Sequence, residues 1–280
     1  MLRRLESVLR LIACLICLIP LVQAQPALEE ILHRLAESQE RASDARKTIV
    51  YRQDTWVRLM QTNGKLSREE KRQYTVAPTP SGSVKKLDKF EGRYRKGGKT
   101  LTYDAPDFQY KDTDIDGELI ESLTDDLIND QKSRDGFAKD LFPLTRKEQE
   151  QYTFRLGGTR KVGDVEALRI DFLPKPDGGR PWGGEVLIHP QDYQPMLVTT
   201  RLAMKIPMAV KIMFGTDIKQ LGFSVTYRKV DDGLWFPATY GTEFGLKVLF
   251  GYKRNVTMNV TNTDFRKASA ESSIQFEAEK

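Results

Sequence analysis

Apolar residues recur at every second position through long tracts of this chain, and that period of two most constrains what it can fold into. Leu221, Phe223, Val225 and Tyr227 alternate with Gly222, Ser224, Thr226 and Arg228, and Leu168, Ile170 and Phe172 alternate with Arg169 and Asp171. Leu246, Val248, Phe250 and Tyr252 follow the same rule, then Val256, Met258 and Val260. Successive strand side chains point to opposite faces, so each tract buries one face and wets the other. Turn signals separate the tracts. Asn63-Gly64 lies between Ile49–Leu59 and Lys71–Val76, Lys96-Gly-Gly-Lys99 between Phe90–Arg95 and Thr100–Tyr103, and Pro190 to Pro195 between Glu185–His189 and Met196–Leu202. Gly157-Gly158, Val162-Gly-Asp-Val165 and Asp231-Asp-Gly233 read as further turns, and Ala77-Pro-Thr-Pro-Ser-Gly-Ser83 as a surface loop. The expectation is an antiparallel meander of about ten or eleven strands.

Three stretches depart from this period. Leu28, Ile31, Leu32 and Leu35 fall at helical spacing, with Glu29 and Glu30 in the first turn and Arg41 and Arg46 near the end, as the helix dipole favours. His33 sits beside that stripe at the surface or boundary. Within 104–144, Leu119, Ile120, Leu123 and Leu127 make one apolar side of a helix from Gly117 to about Asn129, and Phe137 to Leu141 reads as a second short helix. The third departure, Leu202 to Phe214, holds three of the seven methionines, is broken by Pro207, and fits neither period. Methionine is unbranched and adaptable, which suits a greasy surface. Lys205 and Lys211 lie within this segment and Lys219 follows it. A mobile loop meeting lipid or ligand, and a strand pair with a bent edge, both fit that pattern.

Residues 1–24 carry the marks of a secretory signal. Arg3, Arg4 and Arg10 precede an apolar core from Leu11 to Val22, and Val22-Gln23-Ala24 offers a small-residue cleavage site. The uncharged run is shorter than the ~20 residues a membrane-spanning helix needs. Leu11-Ile-Ala-Cys14 resembles a lipobox, but the apolar run continues past the cysteine. Cys14 and Cys17, the two cysteines, both lie in this segment, so the remaining chain folds without a disulfide. Losing three arginines and one glutamate with it takes the net charge from +5 to +3. That small excess argues against a nucleic-acid partner. The expectation is one domain over 25–267 and a polar tail over 268–280, in the periplasm.

Chemistry-bearing motifs are few. Asp112-Thr-Asp-Ile-Asp-Gly117 matches the first half of a calcium-binding EF loop, but the twelfth position, which should be a bidentate glutamate, is Leu123. An acidic loop capping the following helix accounts for it more simply. His33 and His189 are the two histidines, far apart, and no cysteine remains, so a zinc site would have to lean on carboxylates. There is no Gly-x-Ser-x-Gly and no catalytic thiol. Asn255-Val-Thr257 and Asn259-Val-Thr261 are glycosylation sequons only in a eukaryotic cell, and otherwise alternate along a strand face. The expectation is neither an enzyme nor a cofactor or metal protein.

Tyr152-Thr-Phe-Arg-Leu, Leu168-Arg-Ile-Asp-Phe-Leu-Pro174, Trp182-Gly-Gly-Glu-Val-Leu-Ile-His-Pro190, Gln194-Pro-Met-Leu-Val198 and Asp231-Asp-Gly-Leu-Trp-Phe-Pro237 together resemble the LolA-like outer-membrane lipoprotein-sorting proteins, over roughly Leu28 to Phe265. The resemblance implies an α+β fold, a curved, unclosed antiparallel β-barrel with helices covering the concave face. It also implies an apolar cavity that takes acyl chains without catalysis. Ligand contacts are expected from Met204, Ile206, Met208, Ile212, Met213 and Phe214 at the mouth, and from Trp56 and Trp235. The partners implied are a lipid or lipidated protein, inner- or outer-membrane proteins, and a transient membrane-surface contact. The alternative is an envelope protein-binding module whose core is filled by its own side chains.

Overall fold

The computed structural model describes residues 26–79, 82–111, 113–127, 144–176, 182–203, 217–219, 221–231, 233–247 and 251–268. Helix α1 (Leu28–Arg46) leads into β1 (Ile49–Met60), β2 (Leu66–Thr79), β3 (Gly82–Lys96) and β4 (Lys99–Tyr103). Helices α2 (Ile115–Leu127) and α3 (Arg146–Gln149) follow. The chain then builds β5 (Tyr152–Val162), β6 (Val165–Pro174), β7 (Trp182–Ile188), β8 (Pro195–Leu202), β9 (Asp217–Lys219), β10 (Gly222–Asp231), β11 (Leu234–Lys247) and β12 (Lys253–Lys267). All pairings are antiparallel, in the order β4-β3-β2-β1-β12-β11-β10-β8-β7-β6-β5, with β9 paired off this path to the end of β11. The fold is the expected α+β one: a curved sheet that does not close, because its edges are β4 and β5.

That order explains the helices. β4 and β5 are consecutive strands, yet they stand at opposite edges, so residues 104–151 must cross a whole face of the sheet. A crossing segment hides its backbone polar groups best as helix. α2 meets β2, α3 meets β5 and α1 lies against β11. Burial follows the period of two read from the sequence. Val57 and Leu59 of β1 face Met258 and Val256 of β12, which face Thr242 and Phe244 of β11. With Ile170, Phe172, Val186, Val198 and Val225 they form one core, into which Ile31 and Leu35 of α1 and Ile120 of α2 project. Each such side chain contributes roughly 1.5–3 kcal/mol on burial.

Several expectations are corrected. Residues 77–79 and 82–83 are paired strand and not loop, with Thr79 opposite Gly82, because Ala77 has a buried face to fill. Gly157-Gly158 is a bulge inside β5, with the register shifting between Leu156 and Thr159, and Gly158 takes φ +83°, where a Cβ would be strained. Leu246 to Tyr252 is not one strand: β11 ends at Lys247 and β12 begins at Lys253. α2 begins at Ile115, two residues before Gly117. The second short helix at Phe137–Leu141, the signal segment 1–24, the tail beyond Ala268, and Met204 to Phe214 lie outside the described residues. No described helix is long and apolar enough to cross a membrane.

Candidate functional site

The two ends of the sheet differ. At one end stand the start of β1, the end of β10, the start of β11 and the end of β12, and a second apolar cluster forms there from Ile49, Tyr51, Tyr74, Val76, Leu234 and Phe236. Phe236 meets Tyr51 and Phe265 at ring-centroid distances of 4.9 and 4.8 Å. The C-terminal half of α1 is tied down at this end. Arg46 Nε donates to the Trp235 carbonyl at 3.1 Å, and the Gln194 side-chain amide donates to the Ser38 carbonyl at 3.0 Å. Gln39 donates in return to the Gln194 side chain, and Ser38 Oγ to the Tyr193 carbonyl. His189 Nδ1 accepts from the Asp192 N–H at 3.2 Å inside the turn. This end is sealed.

The opposite end carries the starts of β5, β7, β10 and β12. Phe154, Trp182, Leu221 and Tyr252 stand there half-buried against the core, with Leu28 and Leu32 from α1 and Leu119 and Leu123 from α2 facing them. Trp182 packs edge-on to Phe223 at 4.8 Å. Leu202, the last residue of β8, pairs with Trp182, and Asp217 of β9 pairs with Lys247. The Met-rich segment between them is therefore rooted at this mouth on both sides. Trp56 and Trp235 are not at the mouth. Trp56 lies on the outer face with the Arg58 guanidinium 4.3 Å from its ring. Trp235 is buried at the sealed end, donating from Nε1 to Asp192 at 2.9 Å.

The inner face of β2 to β4 holds what sequence reasoning missed. Arg68 is 1% exposed, and Glu70 and Asp114 are 2% and 0%. Arg68 Nε donates to the Tyr103 hydroxyl at 2.7 Å, and one terminal nitrogen donates to the Phe108 carbonyl at 2.8 Å. Its other terminal nitrogen meets Asp114 Oδ2, while the Tyr103 hydroxyl donates to Glu70 at 2.6 Å. Burial drives the Tyr103 hydroxyl pKa strongly upward, with Glu70 adding to it, so the phenol stays protonated and can donate. Burial also works against the Arg68 charge, but Tyr103, Glu70 and Asp114 outweigh it and the guanidinium is held charged.

Asp116 makes a second knot. It accepts from Ser67 Oγ at 2.6 Å, from Arg254 Nε at 2.8 Å, and from the Tyr252 hydroxyl. Burial raises its pKa, but the hydrogen bonds from Arg254, Ser67 and Tyr252 prevail and leave it below the ordinary carboxylate value. Asp114 Oδ1 also accepts the Gly117 N–H at 3.1 Å, as the N-cap of α2. The acidic run at 112–116 thus caps and clamps a helix. Its Asp114 and Asp116 carboxylates are taken by Arg68 and Arg254, and no group of three or more His, Cys, Asp or Glu among the described residues is placed to hold a metal ion. No sequence signal marked Arg68, since Ser67-Arg-Glu-Glu-Lys-Arg-Gln73 reads as a solvated run.

An open antiparallel sheet, sealed at one end and flanked by apolar side chains at the other, defines the class: a binding scaffold built from one sheet and a helical layer. Solved structures of that layout are similar to this chain. A domain named for outer-membrane lipoprotein sorting, from Vibrio parahaemolyticus, is 12% identical, covers 90% of this chain and 97% of its own, and gives a TM-score of 0.43. A LolA superfamily protein from Nitrosomonas europaea is 8% identical, with coverage of 87% and 96% and a TM-score of 0.38. The MucA/MucB complex of Pseudomonas aeruginosa matches at 12% identity, with coverage of 84% and 99% and a TM-score of 0.21. No protein-family model and no curated protein matches the chain.

Proposed function

We propose that this protein is a non-catalytic carrier or sensor of the cell envelope that binds an acyl chain, free or on a lipidated protein, between its helices and the inner face of the sheet. The observation that carries the reading is the polarity of the fold. One end is closed by a packed cluster and a net of hydrogen bonds, while half-buried Leu32, Leu119, Leu123, Phe154, Trp182 and Leu221 converge at the other. Met204, Ile206, Met208, Ile212, Met213 and Phe214 are the proposed mouth segment, since β8 and β9 root it beside those side chains. Such a device shields lipid from water at about 0.8 kcal/mol per buried CH₂, with no bond made or broken.

Native mass spectrometry of the signal-cleaved protein, purified from cells with an intact envelope, tests this reading. The expected spectrum shows a fraction carrying an adduct of lipid mass that organic extraction removes. Protein that is consistently empty, and stays empty when offered fatty acids or phospholipids, would refute it. A second reading rests on the filled middle of the inner face, where Ile170, Phe172, Val198 and Val225 are each 0% exposed. A scaffold with a self-filled core would bind a protein, and co-purification of a stoichiometric protein partner without lipid would favour it.

A further inference from the structure

The outer face of the sheet offers a surface of a different chemistry from the mouth. Its registers align one continuous rank of direct cross-strand neighbours. Lys71 stands opposite Trp56, Trp56 opposite Asn259, Asn259 opposite Gly241, Gly241 opposite Ser224, and Ser224 opposite Thr199. From Trp56 to Thr199 the rank holds no charge and crosses five strands, about 19 Å at the usual strand spacing. Gly241 leaves a notch in it, where an added Cβ would come 3.1 Å from Asn259 Oδ1. Two shallow grooves of about 540 and 530 Å³ lie along this line and share Asn259. The Asn259, Ser224 and Thr199 side chains have no hydrogen-bond partner among the described residues, so their donors and acceptors are free.

Charge decides the ligand class. On one flank Arg58 and Arg93 clamp Glu69 at 2.8 Å each, and Lys89 pairs with Glu91 at 2.6 Å. On the other, Arg155 and Arg169 hold Asp171 at 2.7 and 2.8 Å, and Arg160 holds Glu185 at 2.6 Å. The flanking charges neutralise one another and leave an uncharged, hydrogen-bonding track between them. A nucleic acid or other polyanion needs unpaired cations along its path. A protein interface needs an apolar centre, and the large exposed hydrophobics among the described residues, Leu87, Leu101, Ile115 and Leu173, are not in the rank. A chain of neutral, hydroxyl- and amide-bearing units with one apolar face for an indole is what remains. We infer that this rank is a binding track for an uncharged linear glycan lying across the strands, with Trp56 as its aromatic contact and Asn259, Ser224 and Thr199 as its hydrogen-bonding floor. The inference is independent of the lipid reading, which concerns the opposite face.

Titration of the isotope-labelled, signal-cleaved protein with chitohexaose and with cellohexaose, followed by amide NMR, tests it. At least one is expected to give saturable shifts confined to β1, β12, β11, β10 and β8 around the rank. Asn259→Ala and Trp56→Ala should each weaken that binding at least tenfold. Gly241→Val, which fills the notch, should do the same, and it decides the matter if the tryptophan variant does not fold. Absence of saturable shifts with both sugars overturns the inference. So do shifts that map to the mouth, affinity unchanged in folded Gly241→Val, or tighter binding of a heparin hexasaccharide than of either neutral sugar.

Discussion

Arg68 is a charge held where water does not reach, and its four hydrogen bonds leave little guanidinium capacity unused. Removing one partner of such a pair strands the other, so Asp114→Ala is expected to lower the unfolding free energy by about 3–5 kcal/mol, read from the urea midpoint. Asp116 gives the pH dependence. Its pKa is depressed in the folded chain, so its contribution is present above the unfolded value near ~3.9 and is lost as pH falls through the lower folded value. Thermal melts from pH 6 to pH 2 should show stability falling below about pH 4. Asp116→Asn should be less stable at pH 6 and show a shallower acid decline; an unchanged acid slope would count against the clamp. These positions were illegible in the sequence because pairing across β2, α2 and β12 is what makes burial of charge tolerable there, and nothing local announces it.

Elements were more legible than their ends. α1 was readable from its leucine stripe and acidic first turn, yet its N-cap is Ala27, in extended geometry with no side-chain cap. Glu30 already occupies the third helical position, so Ala27→Ser would complete a capping box and is expected to stabilise the protein by about 1 kcal/mol in equilibrium unfolding. The β3–β4 hairpin was legible from its glycine turn. What the turn did not reveal is that Gly92 lets the Tyr103 ring lie across the strand: an added Cβ would sit 2.2 Å from it. Gly92→Ala should displace that ring from Phe108 and Arg68 and lose about 1–3 kcal/mol, with a changed near-ultraviolet tyrosine signal. The β2–β3 turn was misplaced because Pro78 and Pro80 look like loop chemistry, whereas pairing with β3 carries the strand through Pro78 to Thr79.

At the scale of the whole molecule, the lipid reading predicts that mouth and scaffold are separable. Replacing Met204, Met208 and Met213 together with serine should reduce co-purified or added fatty acid at least tenfold, while the urea midpoint stays within experimental error; equal loss of both would show that the segment is core. The period of two, the turn chemistry and the leucine stripe of α1 were enough to determine an antiparallel sheet with a helical layer, because each side chain's face follows from its own position along a strand or helix. The sequence could not say that β1 would pair with β12, so that the first and last strands meet in the middle and consecutive β4 and β5 become opposite edges. That pairing was decided in three dimensions, by the match of Val57 and Leu59 to Met258 and Val256 across some two hundred residues. It also set which end of the sheet is sealed, put Trp56 outside and Trp235 at the sealed end, and brought Arg68 to Asp114, since contacts between distant segments exist only once the sheet has assembled.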